Sequence, residues 1–294
     1  MELTWLSELP DENIVRDLLL AAMAVDGRPE ITPGEPLPRE FRDVPGGRHL
    51  LATSDHAVLA YAHLDADGDA FGNQVVELIV HPSHRRAGVG GAVTDEVLTQ
   101  VSGPLRLWSH GDHPGAARIA EQRGLAKVRE LLKMRLTGDH ELPEATWPDG
   151  VRVRTFEPGR DEQAMIEVNA RAFDWHPEQG RLTVEELRAT ESEGWFDPAG
   201  FFLAVDGDDK VLGYHWTKVH PGEPPVGEVY VVGVDPGAQG GGLGKALTLV
   251  GLHHLRKAGL GDIILYVESD NSPAVAVYTR LGFTRWESDV AYQR

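Results

Sequence analysis

The sequence predicts an α/β chain built as two tandem domains. Residues 234–247 read VDPGAQGGGLGKAL, five glycines and a proline between a β-branched run and a helical pattern. Residues 80–92 read VHPSHRRAGVGGA, with the same valine, proline and G-x-G glycines 154 residues earlier. A supersecondary unit that recurs at a fixed offset marks an internal repeat, and 294 residues suit two domains.

Each element of the repeat has its own signal. QVVELIVHP (74–82) aligns with EVYVVGVDP (228–236), both of strand type. After the glycines, GAVTDEVLTQV and KALTLVGLHHLRKAG space their apolar residues as helices do. Gly259 stops the second helix, with Arg256 and Lys257 in its last turn. GPLRLWSH and GDIILYVES read as strands, and ARIAEQRGL and AVAVYTRLGF as short helices ending in Gly plus an apolar residue. Each half therefore runs strand, glycine loop, helix, strand, helix, final strand. The polar segment 139–150 reads as a linker, giving domains at 1–138 and 151–294. The second half opens with the strand VRVRTF and a helix near Asp161–Phe173. A further helix starts at Thr183, where Thr183 and Glu186 have capping-box spacing. GFFLAVDGDDKVLGYHWTKV reads as a hairpin turning at Asp206–Asp209.

Composition removes several functions. Without cysteine there are no disulfides, thiolate metal sites or cysteine nucleophile, which fits a cytoplasmic location. The N-terminus has no basic stretch followed by an apolar core, so no signal peptide is read. No apolar run approaches the roughly 20 residues that span a bilayer. A net charge of −18 argues against nucleic-acid and membrane partners. His176, His215 and His220 show no recognisable metal spacing, and adjacent His253 and His254 face apart on a helix. Each reads as a packed or solvated ring, and no metal is expected.

A strand that runs through glycines into a helix N-terminus is an anion site, since the first-turn N–H groups lack partners and the dipole adds to them. The expected ligand is a phosphate or pyrophosphate. Gly240–Lys245 departs from the Walker spacing and lacks its Ser/Thr, and Gly242-Leu-Gly244 fits the dinucleotide fingerprint only in part. The pattern [Q/R]-x-x-G-x-[G/A] after V-x-P resembles the acetyl-CoA loop of the GNAT acetyltransferase superfamily. It occurs twice, as Gln239-Gly240-Gly241-Gly242-Leu243-Gly244, followed by Lys245, and as Arg85-Arg86-Ala87-Gly88-Val89-Gly90, followed by Gly91. The second copy is followed by Asn271-x-x-Ala-x-x-x-Tyr278-x-x-x-Gly282-Phe283, which resembles the superfamily's other signature. Across nearly the whole chain, AVDG, PGEPLPRE, HPEQG, WFDP, HWTKVHP, GEVYVVGVDP and LYVESDN, in this order, resemble the mycothiol synthase family.

The resemblance implies two tandem GNAT-type domains, each a mixed, mostly antiparallel twisted sheet flanked by helices. It implies acetyl transfer from acetyl-CoA to the cysteinyl amine of Cys-GlcN-Ins by a monomer. In that pattern Glu228 is the base, through water, and also contacts substrate. Tyr278 is the acid toward the CoA thiolate. Acetyl-CoA lies on the backbone of Val232, Gly233 and Val234, on the loop Gln239–Lys245 and on Asn271. Leu78, Ile79 and Val80 with the loop from Arg85 to Gly91 are the first-half counterparts. Glu35, Glu178, Lys218 and Tyr266 fall in segments that resemble the acceptor-contacting ones.

The residues themselves are compatible with this. Amine acetylation needs an acceptor for the ammonium proton, donors for the oxyanion, a donor for the leaving sulfur, and alignment. Strict alternation puts Glu228, Tyr230, Val232 and Val234 on one face. Taken singly, Glu228 reads equally as a base or as a solvated strand-end acid, and Tyr278 as a core ring. A phenol near 10 cannot fully protonate a thiolate near 8.5, so Tyr278 is read chiefly as a hydrogen-bond donor.

The halves are unequal. Ungapped matching on the prolines places Gln74 against Glu228, and anchoring on the Gly-apolar helix ends, Gly124 and Gly282, places Ala120 against Tyr278, so the first half is expected to bind acetyl-CoA without turning it over, a scaffold that binds nothing being the other reading. Two other readings remain open at this point: a tandem acetyltransferase for another amine, such as an aminoglycoside or a protein N-terminus, and a CoA-binding module without catalysis.

Overall fold

The computed structural model describes residues 1–9, 11–26, 37–38, 41–42, 46–55, 57–69, 71–138, 140–176 and 179–294. Two compact units are present, Met1–Leu131 with Glu287–Arg294, and Leu132–Trp286.

The first unit begins before the glycine loop with β1 (Glu2–Leu6), α1 (Glu12–Asp26), β2 (Arg48–Ser54) and β3 (Ala57–Asp65). Then follow β4 (Gln74–Val80), α2 (Val89–Gln100), β5 (Leu105–Ser109), α3 (Pro114–Gln122) and the start of β6 (Ala126–Leu136). Strands β1 to β4 pair antiparallel in sequence order, and β4 pairs parallel to β5. Helix α1 buries Val15, Leu18 and Leu19 against Leu51, Tyr61 and Ile79 on one face. On the other, α2 buries Val89, Val93 and Val97 against Leu50, Ala60 and Val76.

The second unit repeats the plan with β7 (Arg152–Thr155), α4 (Glu162–Ala172), α5 (Val184–Glu191), β8 (Phe201–Val205), β9 (Val211–His220) and β10 (Val226–Val234). After its glycine loop come α6 (Leu243–Lys257), β11 (Asp262–Glu268), α7 (Ser272–Arg280) and the start of β12 (Thr284–Gln293). Its strand order is β6-β11-β10-β9-β8-β7, antiparallel from β7 to β10 and parallel between β10 and β11. Helices α4 and α5 bury Met165, Val168 and Leu187 against Phe201, Leu203, Tyr214 and Trp216. Helix α6 buries Leu249, Leu252 and Leu255 against Val229, Ile263 and Leu265 on the opposite face. Each such side chain contributes about 1.5–3 kcal/mol when fully buried.

Local signals act as anticipated. Thr183 and Glu186 close both bonds of the capping box. Asp206 accepts from the N–H groups of Asp208 and Lys210 at 3.0 Å in the β8–β9 turn. Gly259 ends α6 at φ +83°.

The units differ from the contiguous ranges 1–138 and 151–294. The C-terminal half of β12 belongs to the first unit, where Val290–Gln293 pairs antiparallel with β5 and Val290 and Tyr292 join the core. Leu132, Met134 and Leu136 of β6 belong to the core of the second unit. A repeat reveals which segments are alike; it does not reveal which of two similar amphipathic strands closes which sheet.

Candidate active site

Strand β10 carries the site, and a bulge shapes it. Glu228 lies opposite Lys218 and Val229 opposite Thr217, then the register slips so that Val231 faces Trp216 and Val232 faces His215. Tyr230 is the extra residue, and a bulge re-aims everything beyond it. Strict alternation is thereby corrected. Glu228 and Tyr230 lie on the α4 side, whereas Val232 and Val234 pack with Leu243 and Leu247 on the α6 side. The ungapped match also moves by one: Glu228 has Val75, rather than Gln74, as its first-unit counterpart. Strand β4 shows no slip from Asp65↔Val75 to Ala60↔Val80.

Beyond the bulge the sheet opens. The parallel ladder of β10 and β11 runs from Val226↔Asp262 to Val229↔Leu265 and stops. Residues 230–234 thus have backbone groups on the β11 side outside any ladder, available to a ligand. The backbone of Val232, Gly233 and Val234 falls in this opening. Gly233 also has a packing reason to be glycine, because an added Cβ would lie 2.5 Å from the ring of Tyr214.

Glu228 is 6% exposed. Its Oε2 lies 2.6 Å from Nε2 of His220, the diagonal neighbour on β9. Lys218 sits with Nζ 4.6 Å from the Trp195 ring centre and 5.6 Å from that of Tyr230, a cation held over two aromatic faces. On β11, Tyr266 is exposed with Lys133 Nζ 5.4 Å from its ring centre, and Glu268 lies 3.9 Å from His176. This sheet face, opposite α6 and α7, collects acids, cations and aromatic rings. Glu35 and Glu178 lie outside the described residues.

Tyr278 comes from α7 and packs its half-buried ring against the α6 side of the sheet, edge-on to Phe283. Burial pushes its hydroxyl up to about 12, so it stays protonated and can donate at neutral pH.

The glycine loop leads into α6. Pro236–Ala238 forms a 3-10 turn capped by Asp235, whose Oδ1 accepts from Gly237 N–H at 2.9 Å. Gly240 and Gly242 take φ of +98° and +84°, conformations that L side chains avoid. Gly242 occupies the N-cap without a side-chain bond to the first turn. The N–H groups at Leu243, Gly244 and Lys245 therefore open to the loop, as an anion site requires. Among the described residues, and apart from adjacent backbone, no heavy atom lies within 4 Å of a Cβ built on Gly240 or Gly242, so the approach is open; Gly241 is exposed beside Pro148. Gln239 ties its side chain back to Val234 O at 3.3 Å. Asn271 serves as the N-cap of α7, accepting from Ala274 N–H at 3.2 Å.

The first unit repeats the glycine loop. Gly88 repeats the N-cap geometry at φ +86° ahead of Val89, Gly90 and Gly91, and Arg86 takes φ +59°. Arg85 repeats the tie of Gln239, bonding Val80 O at 3.2 Å beyond Leu78 and Ile79. Its guanidinium is gripped by both carboxylate oxygens of Asp26 at 2.7 and 2.8 Å, so it is committed within the protein. Ala120 is buried in the core on the α2 side.

His220 is the residue that the sequence argument passed over as a packed or solvated ring. The signal was present: two strands joined by the short turn 221–225 bring residues 220 and 228 diagonally together. His215 is a packed ring, its Nδ1 2.7 Å from Leu247 O and its titration depressed to about 4 by burial. Among the described residues no group of three or more His, Asp or Glu side chains could hold a metal ion, and no helix is long and apolar enough to cross a membrane.

A model of the acetyltransferase (GNAT) family matches residues 164–283. A mycothiol acetyltransferase of Saccharomonospora viridis is 58% identical over 98% of this chain and 97% of its own. One from Nocardia farcinica is 47% identical over 98% of this chain and 96% of its own. Among solved structures, a GCN5-related N-acetyltransferase from Sphaerobacter thermophilus superposes with a TM-score of 0.73 at 23% identity, covering 99% and 95% of the two chains. A tandem GNAT protein from the clavulanic acid biosynthesis pathway gives 0.70 at 20% identity, covering 100% and 98%. These two likenesses are of fold.

Proposed function

The chain belongs to the mycothiol acetyltransferase family of GNAT acyltransferases, and from that premise we propose that its second unit acetylates the cysteinyl amine of Cys-GlcN-Ins. The observation that carries the assignment of the chemistry is the opening of the β10–β11 ladder after Val229, with Glu228 beside it on one face and Tyr278 on the other. The loop from Gln239 to Lys245 fits a pyrophosphate by its open N–H groups and positive-φ glycines. Acetyl-CoA, when bound, supplies the activated acetyl thioester.

The protein's own groups divide the work. Glu228 takes the proton that the ammonium must lose, directly or through a water. The neutral amine nitrogen then bonds to the acetyl carbon while backbone N–H groups of residues 230–234 donate to the oxyanion; as the carbon–sulfur bond breaks, the nitrogen gives up its second proton, the departing thiolate takes one up directly or through water and leaves as a thiol, and the proton held by Glu228 passes to solvent. Tyr278 donates a hydrogen bond to the departing sulfur. Lys218, Tyr266, Glu35 and Glu178 are assigned to the acceptor, and Asn271 to the pantetheine arm while it caps α7.

The first unit is assigned acetyl-CoA binding without turnover. Val75 and Ala120 replace the two reacting groups, β4 lacks the bulge, and Arg85 is committed to Asp26. The working form is assigned as a cytoplasmic monomer, since acetyl-CoA is an intracellular metabolite and the reacting groups come from one chain; sedimentation of the purified protein tests the monomer. The function is tested by mass-spectrometric detection of N-acetylated product from acetyl-CoA and Cys-GlcN-Ins. Protein that binds acetyl-CoA yet makes no product with this acceptor overturns the assignment and directs attention to other amines.

A further inference from the structure

The reaction as written releases one net proton per turnover when a protonated amine becomes an amide and the thioester becomes a thiol. The group proposed to receive a proton, Glu228, is 6% exposed. A buried carboxylate without a donor is costly to ionise, so the base works only if its charged form is supported. His220 supplies that support, its Nε2 lying 2.6 Å from Oε2, a charge-assisted distance.

We propose that His220 is the positioning residue for Glu228, fixing its carboxylate by an Nε2–H···Oε2 bond while the second carboxylate oxygen remains the proton acceptor. This rests on the assignment of Glu228 as base. Three features argue for a built pair. The bond joins diagonal neighbours whose places are set by the register Val226↔His220 and Glu228↔Lys218, so it does not depend on a mobile loop. It lies just below the bulge, on the segment of β10 still laddered to β11. The imidazole is 26% exposed, so one edge of the pair reaches solvent while the carboxylate stays enclosed. The bond also selects the tautomer, with the proton on Nε2 facing the carboxylate.

Other titratable groups share this face and bear on any pH profile. Lys218 sits across from Glu228 and over Tyr230, Tyr266 faces Lys133, and Glu268 faces His176. Asp262, in the same cross-strand row as Val226, is engaged by Arg135. Variants are therefore compared with wild type rather than with free amino acids.

The test is the pH dependence of kcat/KM for wild type, His220→Phe and His220→Gln, with acetyl-CoA affinity measured by calorimetry on each. Loss of the donor leaves Oε2 unsupported, so His220→Phe is expected to move the acidic limb to higher pH. It should also lower kcat/KM roughly tenfold or more at pH 7, less than the ~10²–10⁴ of losing the base itself. Acetyl-CoA affinity should be unchanged. His220→Gln, which can still donate, should recover most of the rate and the wild-type limb; it also carries the test if the Phe variant fails to fold, because activity without a wild-type limb in the Gln variant overturns the proposal. A Phe variant with the wild-type limb and rate overturns it as well, while leaving the acetyltransferase assignment standing. A wild type that makes no product overturns both.

Discussion

Glu228 and Tyr278 address the sheet of the second unit from opposite faces. Glu228 is on the α4 side, with Lys218 and His220, while Tyr278 packs with Val229, Leu249 and Leu265 on the α6 side. A continuous sheet would keep them apart. The ladder of β10 and β11 ends at Val229↔Leu265, and a substrate entering that opening can meet Glu228 from one side and Tyr278 from the other. The bulge at Tyr230 is part of the same arrangement, since it turns Val232 and Val234 toward α6 while leaving Glu228 facing away.

Replacing Glu228 with Gln keeps the shape of the side chain and removes its ability to take a proton. Product formation should fall by about 10²–10⁴ in kcat/KM, with acetyl-CoA affinity intact because the carboxylate stands apart from the glycine loop. Because the first unit is assigned no turnover, no residual burst of product should remain. Mass-spectrometric product counting checks both, and a dye for free thiols is unsuitable because the acceptor carries its own.

Tyr278→Phe removes the hydroxyl assigned above as the donor to sulfur. A donor that stabilises a leaving group without passing its proton across should cost about tenfold to a hundredfold in kcat, at or below the lower end for full proton transfer. With the hydroxyl pushed up to about 12 by burial, Tyr278 should contribute no basic limb to the rate below pH 10. The sign for stability follows. The unfolded phenol ionises near 10, so between pH 10 and about 12 the unfolded state holds fewer protons and stability falls with rising pH. The Phe variant should lack that component in a denaturation series.

The two glycine loops, their strands and their helices could be read from composition and spacing, because glycine at positive φ and a helix N-terminus leave a local signature. Thr183 and Glu186 capped their helix for the same reason. The bulge could not be read, since Tyr230 is an ordinary strand residue and the slip exists only in the pairing with β9. His220 was overlooked because its meaning is a diagonal contact across a hairpin, and its own neighbours in sequence carry no sign of Glu228. The β12 segment that completes the first unit has the same limitation: alternation shows that a strand has two faces and leaves its partner open.

The loop makes a sharper test of acetyl-CoA binding than charge removal does. Gly242→Ala forces a Cβ onto φ +84°, a strain of roughly 1–2 kcal/mol, and should distort the first turn of α6. At Gly244 an added Cβ meets only Val234 Cγ2 at 3.6 Å, an ordinary contact. Gly244→Ala should therefore leave the melting temperature near wild type, and any loss of acetyl-CoA affinity in it reports close approach of the ligand to the helix N-terminus. Equal stability losses in both variants would contradict this division.

His215 is the group through which mild acid should weaken the second unit. Its ring is fully buried with Nδ1 toward Leu247 O, and burial depresses its titration to about 4. An unfolded histidine titrates near 6.5. Between those values the unfolded state binds the proton that the folded state refuses, so stability is complete above about 6.5 and declines as pH falls toward 4. Gly251 explains why the ring tolerates no easy substitute: an added Cβ there would lie 2.1 Å from it, so helix and imidazole are fitted to each other. His215→Gln retains a donor for Leu247 O and does not titrate. It should start from lower stability at pH 7.5 and lose less of it on acidification to pH 5. Urea midpoints at the two pH values measure the difference, and parallel losses in variant and wild type would assign the acid sensitivity to other groups.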